Sequence, residues 1–467
     1  MNAKRIGFLI GLLAFLLTLA LPAPPGMPPL AWPTAGLVVL MAAWWMSEAL
    51  PLSATAIVPF VVLPLLGVAD ADKTAAAYYS PIMFLFVGGA FLALAIERTG
   101  LHRRLAIAIM RRASASCWQL LLAVMAATAT ISTVISNTAT AFIMMPMALA
   151  ILVAGGVKDG ETRGMAGALP MGVAFAATIG GYGTLVGTPT NALSAALLER
   201  SLGVHISFLE WSKYGLPVVL LGVPLAAFII ARVHRLHEDT FDPAAARQAI
   251  RQSEAWSLAE KRLAALFALT VLAWVSLPLL QAVLPKGAIT DGSVAAIAGL
   301  ALFLIPDGTG RPMLTWQEAN RAPWDVVLMF GGGLALAMGM AESGLAGWLG
   351  QMLLPLGGVP LVVLAAVVVA MVVVITEFAS NIAAASAIMP VVAALAAALG
   401  ADPILLALPA AFAASWGFML PSGTGPNAIA WATRHIAMPR VLKAGLALDL
   451  VGIVLIIGVV WTVAALR

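Results

Sequence analysis

Long apolar blocks, each ended by Pro, Gly or a charge, recur from one end of the chain to the other. About 20 apolar residues in a helix cross the hydrocarbon core of a bilayer, so the first blocks predict membrane helices near 6–21, 33–50, 54–68 and 81–97. A basic amphipathic arm follows at 98–112, where Arg residues flank an apolar stripe in the manner of a helix lying along a membrane surface. Next come an interrupted apolar stretch at 117–153, a span at 164–198 broken in its middle by Gly and Pro, and helices near 215–233, 263–284 and 292–306. The second half resembles the first, with a span at 324–342, an interrupted stretch at 359–398, a Gly/Pro-broken span at 403–432 and a last helix at 444–466.

Of 467 residues, 62% are hydrophobic and only 10% charged, against about 45–50% and 25% in soluble domains. Such a chain is a membrane protein with room for roughly ten to twelve spans, a size that suits a transporter. The opening MNAKR and its apolar run have the order of a signal peptide. PAPPGMPPL offers no good small-x-small cleavage site, however, and the segment reads as the first span. A pI of 9.4 accompanies a net charge of only +4 without a single basic patch, which argues against nucleic acid. The lone Cys117 excludes an internal disulfide, and five scattered His give no zinc-ligand spacing.

With the N-terminus cytoplasmic and both interrupted stretches re-entrant, 20 of the 25 Lys and Arg fall on one side. Only Lys73, Arg200, Lys213, Lys286 and Arg467 fall on the other. This split satisfies the positive-inside rule, and counting either stretch as a full span scrambles it. The charge-rich loop 232–262 reads as an ordinary solvated segment. Trp32, Trp44, Trp45, Trp211, Trp274, Trp316, Trp324 and Trp461 mostly fall near predicted span ends, as an aromatic belt would.

The chain also repeats itself. Phe86, Gly88, Gly89, Gly100 and Leu101 match Phe330, Gly332, Gly333, Gly344 and Leu345, and the same register carries Ser136, Asn137 and Pro146 onto Ser380, Asn381 and Pro390 (380 − 136 = 381 − 137 = 390 − 146 = 244). GTPTNA at 187–192 then matches GTGPNA at 423–428 (423 − 187 = 236). The span at 324–342 is the fifth crossing counted from its copy at 81–97, so the repeats have opposite topology. Inverted repeats with paired interrupted helices point to a secondary transporter whose site lies near the bilayer midplane.

Non-helical backbone at membrane depth must line a cavity or be buried in protein. The sequence places it at ISNTAT (135–140), ASNIAA (379–384), GGYGTLVGTPTN (180–191) and LPSGTGPN (420–427). At each break one half-helix offers free N–H groups to an anion and the other offers free carbonyls to a hard cation. Ser, Thr and Asn add neutral donors and acceptors, and no Arg or Lys lies in any of the four segments. An anion here is held by dipoles, amides and co-bound cations. Of the acids in or near spans, Glu48, Glu97, Glu342 and Asp449 lie toward predicted ends, whereas Glu377 stands one helical turn before Asn381.

At these residues the chain resembles the divalent anion/sodium symporter family, whose members carry two Ser-Asn-Thr hairpin tips and two Gly-Thr-Pro-Pro-Asn-like breaks. ISNTAT, IGGYGTLVGTPTN, TEFASN and GFMLPSGTGPNAI occur in the family's order over essentially the whole chain. The resemblance implies an all-α polytopic membrane protein with about eleven transmembrane helices plus two re-entrant helical hairpins. It further implies a homodimer, embedded in lipid, that works as an elevator-type transporter. Scaffold helices would occupy 1–80, with a scaffold span and arm at 81–115 and the first part of the transport domain at 116–212. The connecting helix, loop and scaffold helices of the second repeat would occupy 213–323, with the second span and arm at 324–358 and the rest of the transport domain and last helix at 359–467.

By the same resemblance, one Na+ site would use Ser132, Ser136, Asn137 and Gly187, and a second Thr376, Ala379, Asn381 and Gly423. Substrate would meet Asn137, Thr138, Thr188, Asn381 and Thr424. The implied activity is sodium-coupled uptake of dicarboxylates such as succinate, malate or fumarate across an inner membrane, with citrate or sulfate in some branches. Sodium-independent exchange on the same fold is the alternative, and an intramembrane enzyme using Glu377 and the two Asn would need a nucleophile or metal that the sequence does not show. Three positions depart from the family pattern: Ile382 replaces a Thr, and Thr190 and Gly425 each replace a Pro, a change expected to loosen the breaks.

Overall fold

The computed structural model describes residues 3–111, 116–158, 160–236, 241–248, 255–285 and 287–466. Arg112, Arg251, Lys286 and Arg467 of the charge count lie outside the described residues, as does the side chain of Arg247. Among the described residues the regular elements are all helical, apart from one isolated bridge between Pro306 and Pro312. Nine described helices are long and apolar enough to cross a membrane, or ten if Leu258–Val275 and Leu277–Val283, bent by 67°, form one span.

Most helices lie where the apolar blocks predict them, and the local chemistry explains their ends. The span Trp324–Glu342 has the predicted bounds. Gly100 and Gly344, at φ 78° and 79°, end the matched spans in the left-handed conformation and turn the chain into the arms Leu101–Met110 and Leu345–Leu353. A β-carbon would be strained at both positions. The span predicted at 54–68 is instead two short helices, Leu52–Thr55 and Val58–Leu65. The last helix, Met438–Ala465, starts six residues before its predicted start at 444 (444 − 438 = 6), because Pro439 fits a first turn and the polar Arg440 and Lys443 are helical too.

The two repeats interlock. Phe86 and Phe330, equivalent in the repeat, meet with ring centroids 5.4 Å apart. Gly88 of the first span approaches the Ala295 carbonyl from the second repeat, and Gly332 of the second span approaches the Ala56 carbonyl from the first. The absence of a β-carbon permits both contacts, since one built at either glycine would lie 2.3 Å or 2.5 Å from the facing oxygen. The same exchange recurs at the breaks, where Asn137–Ala154 packs on Gly425–Ala432 and Asn381–Ala398 packs on Pro189–Leu202.

Charged side chains tie together the ends of these spans. Arg98 bonds Asp307 and the Met313 carbonyl, Arg104 grips Glu260, Arg311 pairs with Glu318, and Arg321 pairs with Glu97. Lys73 pairs with Glu342, and Lys4 with Glu48. Glu48, Glu97 and Glu342 are therefore ion-paired residues at span ends, as their positions suggest. The tryptophans divide. Trp32, Trp44, Trp316 and Trp324 are partly or largely exposed, but Trp45, Trp211 and Trp274 are buried struts whose indole N–H groups donate to the carbonyls of Leu52, Tyr182 and Asp291. For these three the aromatic-belt reading is corrected, because position along a helix does not reveal which way the ring faces.

Candidate functional site

Two helical hairpins and two broken helices supply the site. The first hairpin consists of Cys117–Ser132 and Asn137–Ala154, and the second of Leu361–Phe378 and Asn381–Ala398. The first broken helix runs Met165–Gly180, continues as a short 3-10 turn over Gly181–Gly183, and resumes at Pro189–Leu202. The second stops at Ala413 and resumes at Gly425. Pro403 and Pro189 suit first-turn positions, where no N–H is needed. Ser136, Ser380 and Thr424 cap the resumed helices by accepting the N–H of Ala139, Ala383 and Asn427. Thr188 occupies the corresponding cap position before Pro189, without a side-chain cap bond.

At the first tip, the Ser132 hydroxyl lies 2.6 Å from the Ala177 carbonyl and 3.1 Å from Asn137 Oδ1. At the second, the Thr376 hydroxyl lies 2.7 Å from the Ala414 carbonyl and 2.9 Å from Asn381 Oδ1. Each hydroxyl joins its hairpin tip to the broken helix beside it. Within the breaks, Asn191 Nδ2 donates to the carbonyls of Gly181 and Thr184 at 2.7 and 2.8 Å, and Asn427 Nδ2 donates to Leu420 at 3.2 Å. The Oδ1 atoms of Asn191 and Asn427 are buried with no donor among the described residues. The sequence match included both Asn residues but did not reveal their task, which is to hold the unwound carbonyls in place.

Several residues of the two expected cation sets lie close together. Asn137 Oδ1 lies against Gly181, whose carbonyl crowds Gly187 so closely that a β-carbon on Gly187 would be 2.4 Å from it. Gly423 lies near Glu377 and the Leu420 carbonyl, and Glu377 follows Thr376, whose hydroxyl bonds Asn381. Ala379 is extended between the two arms of the second hairpin. These hydroxyls, amide oxygens and carbonyls are hard neutral donors, the chemistry of a sodium site. The described residues contain no group of three or more His, Cys, Asp and Glu able to hold a metal.

Between the two cradles, Thr138 from the first hairpin approaches the second break. A β-carbon on Gly425 would be 2.3 Å from Thr138 Oγ1. Gly425 is thus a close-packing glycine, and the expected loosening of the break is not what its surroundings show. Ile382 takes the position matching Thr138 and packs against the apolar core. Thr190 is buried with no hydrogen-bond partner for its hydroxyl among the described residues. A cavity of about 250 Å3 reaches Ser136 and Pro189, with Glu97 and Arg321 in its wall. Another of about 630 Å3 lies between Trp324–Glu342 and Asn381–Ala398, with Arg200 and Glu342 in its lining.

Glu377 is buried, and its two carboxylate oxygens accept the N–H groups of Met419 and Leu420 at 2.8 and 2.9 Å. Its place in the first repeat belongs to Thr133 (377 − 244), whose carbonyl accepts the Thr184 hydroxyl. The second break is therefore held by a side-chain carboxyl where the first is held by a backbone carbonyl that accepts the hydroxyl of Thr184. Asp449 does not lie near a helix end as its position in the apolar block suggests. Its helix begins six residues earlier (444 − 438 = 6), and its face packs on Phe418 and Trp416, so it is buried, 3% exposed.

The sequence profile of the sodium:sulfate symporter transmembrane region matches residues 2–466. The chain belongs to that family. It is 35% identical over 471 residues to the sodium-dependent dicarboxylate transporter SdcS of Staphylococcus saprophyticus, covering 98% of this chain and 91% of the relative. The SdcS protein of Staphylococcus aureus is 35% identical with the same coverage. In fold the chain is similar to the YdaH transporter of Alcanivorax borkumensis, at a TM-score of 0.57 and 15% identity over 98% of both chains. It is also similar to MtrF of Neisseria gonorrhoeae, at 0.55 and 10% identity over 98% of this chain and 94% of the other. The chain is a membrane transporter.

Proposed function

We propose that the protein is a sodium-coupled symporter of small dicarboxylates, of the succinate, malate and fumarate type. The observation that carries this reading is the pairing of two neutral oxygen cradles, Ser132–Asn137 and Thr376–Asn381, with helix starts at Asn137, Pro189, Asn381 and Gly425. Helix N-termini attract anions, while the cradles offer oxygen to sodium. The SdcS relatives support sodium and dicarboxylate as the pair carried. In this reading Ser132, Ser136, Asn137 and Gly187 hold one Na+, and Thr376, Ala379, Asn381 and Gly423 the other. Asn137, Thr138, Thr188, Asn381 and Thr424 face the carboxylates. Bound sodium offsets the charge of an anion in a site that holds no Lys or Arg among these residues.

The protein acts as a homodimer in the inner membrane, with the N-terminus in the cytoplasm and the hairpins re-entrant. The hairpins and broken helices move as one elevator against the spans Pro81–Thr99 and Trp324–Glu342. The interlocked packing of each hairpin on the opposite broken helix supports their moving together. The test is ligand-dependent thermal stability of the purified protein. A ligand at a hundredfold excess over its Kd stabilises the folded state by about 2.7 kcal/mol. Succinate should raise the melting temperature in sodium but not in potassium, and an equal rise in both salts would refute coupling at the binding step. Sulfate and citrate in the same assay rank the alternative anions.

A further inference from the structure

The acid Asp449 has no part in the cradles, yet among the described residues only Glu377 is a more deeply buried carboxyl. Gly445 and Gly452 flank it on the same face of the last helix, and a β-carbon on either would collide with Phe418 or Trp416. The helix therefore lies directly on the unwound segment of the second break, and Asp449 faces into that contact. Neither of its carboxylate oxygens has a hydrogen-bond donor in bonding geometry among the described residues. The groups around it are the Phe418 backbone, the Tyr182 ring and the carboxyl of Glu377. Tyr182 spends its hydroxyl hydrogen on the Phe412 carbonyl at 3.0 Å. Of the charged groups on the helices packed here, Arg440 bonds Thr162, and no Lys or Arg pairs with Asp449 among the described ion pairs.

An ionised Asp449 would thus be a buried charge with no cation beside it and a second carboxyl facing it, an unfavourable arrangement. Both oxygens of Glu377 already accept backbone N–H groups, so Asp449 is the carboxyl of the two that lacks a donor. We propose that Asp449 is a proton-binding site: its carboxyl carries a resident proton and donates it to Glu377. One O–H then satisfies Asp449, completes the surroundings of Glu377, and ties the last helix to the loop that borders the second cradle. Sodium fits this spot poorly, since a hard cation needs several oxygen ligands and the flanking side chains are Trp416 and Phe418.

The test is infrared difference spectroscopy of the full-length protein in lipid nanodiscs at neutral pH, with carboxyl-13C aspartate as the probe. The proposal expects a protonated-carboxyl C=O band that shifts with the aspartate label and is lost in Asp449→Asn. In Asp449→Glu the band should move from the aspartate label to the glutamate label, which keeps the test decisive if the Asn variant does not fold. Absence of an aspartate-sensitive band in the wild type, or its persistence in Asp449→Asn, overturns the proposal. The measurement needs neither sodium nor substrate, so its outcome is independent of the transport reading.

Discussion

Each hairpin tip concentrates its chemistry in one Asn whose side-chain oxygen faces a hydroxyl and whose backbone opens a helix. Replacing Asn137 or Asn381 with Ala removes a proposed cation ligand and anion contact without opening a large apolar cavity. Either variant should abolish uptake while leaving the melting temperature within a few degrees of wild type, since a side-chain bond in membrane is worth roughly 0.6 kcal/mol. Wild-type uptake by either would refute the assignment. Gly425 makes a different kind of contribution. Gly425→Ala forces a β-carbon against Thr138, and such overpacking costs about 1–3 kcal/mol. The loss should appear as a lowered melting temperature, partly recovered by adding Thr138→Ala, and full additivity of the two changes would show that the contact carries no coupling.

Among the elements, the paired spans, arms, hairpins and breaks are legible in the sequence because each is punctuated by the same residues at the same register. Gly100 and Gly344 illustrate this, since only a left-handed residue lets a span turn directly into an arm. What remained hidden depends on which way a helix faces. Asp449 and Trp45 look like boundary residues in a linear reading and are core residues in the fold. The carbonyls of Ala177 and Ala414 leave no trace in side-chain identity at all. In the loop after the helix Asp291–Leu304, Thr309 donates its hydroxyl and backbone N–H to Asp307, and these bonds, with Arg98 from the end of the span Pro81–Thr99, hold the Asp307 carboxyl well below its ordinary range. A carboxylate so shifted stabilises the folded state above its unfolded value of 3.8, and that stabilisation is lost as pH falls below it. Asp307→Asn should therefore melt lower than wild type at neutral pH, with a shallower further loss on acidification. Identical acid slopes in the two proteins would remove Asp307 from the account.

For the whole molecule, the proposed elevator requires the set of hairpins and broken helices to slide against the set of spans. Gly333 on a span and Ser386 on the second hairpin offer a way to stop that motion, because a β-carbon at Gly333 would lie 3.7 Å from the Ser386 β-carbon. Disulfides place their β-carbons about 3.5–4.5 Å apart. In a Cys117→Ser background, Gly333→Cys with Ser386→Cys should lose uptake on oxidation and regain it on reduction, whereas full uptake by the cross-linked protein would exclude sliding at this interface. The most direct test of sodium-coupled dicarboxylate transport is flux itself: radiolabelled succinate uptake by purified protein in proteoliposomes, with an inward sodium gradient, with potassium, and with internal succinate preloaded. Accumulation driven by the sodium gradient into empty vesicles is the predicted result. Uptake confined to preloaded vesicles and indifferent to sodium would contradict it and make the protein an exchanger.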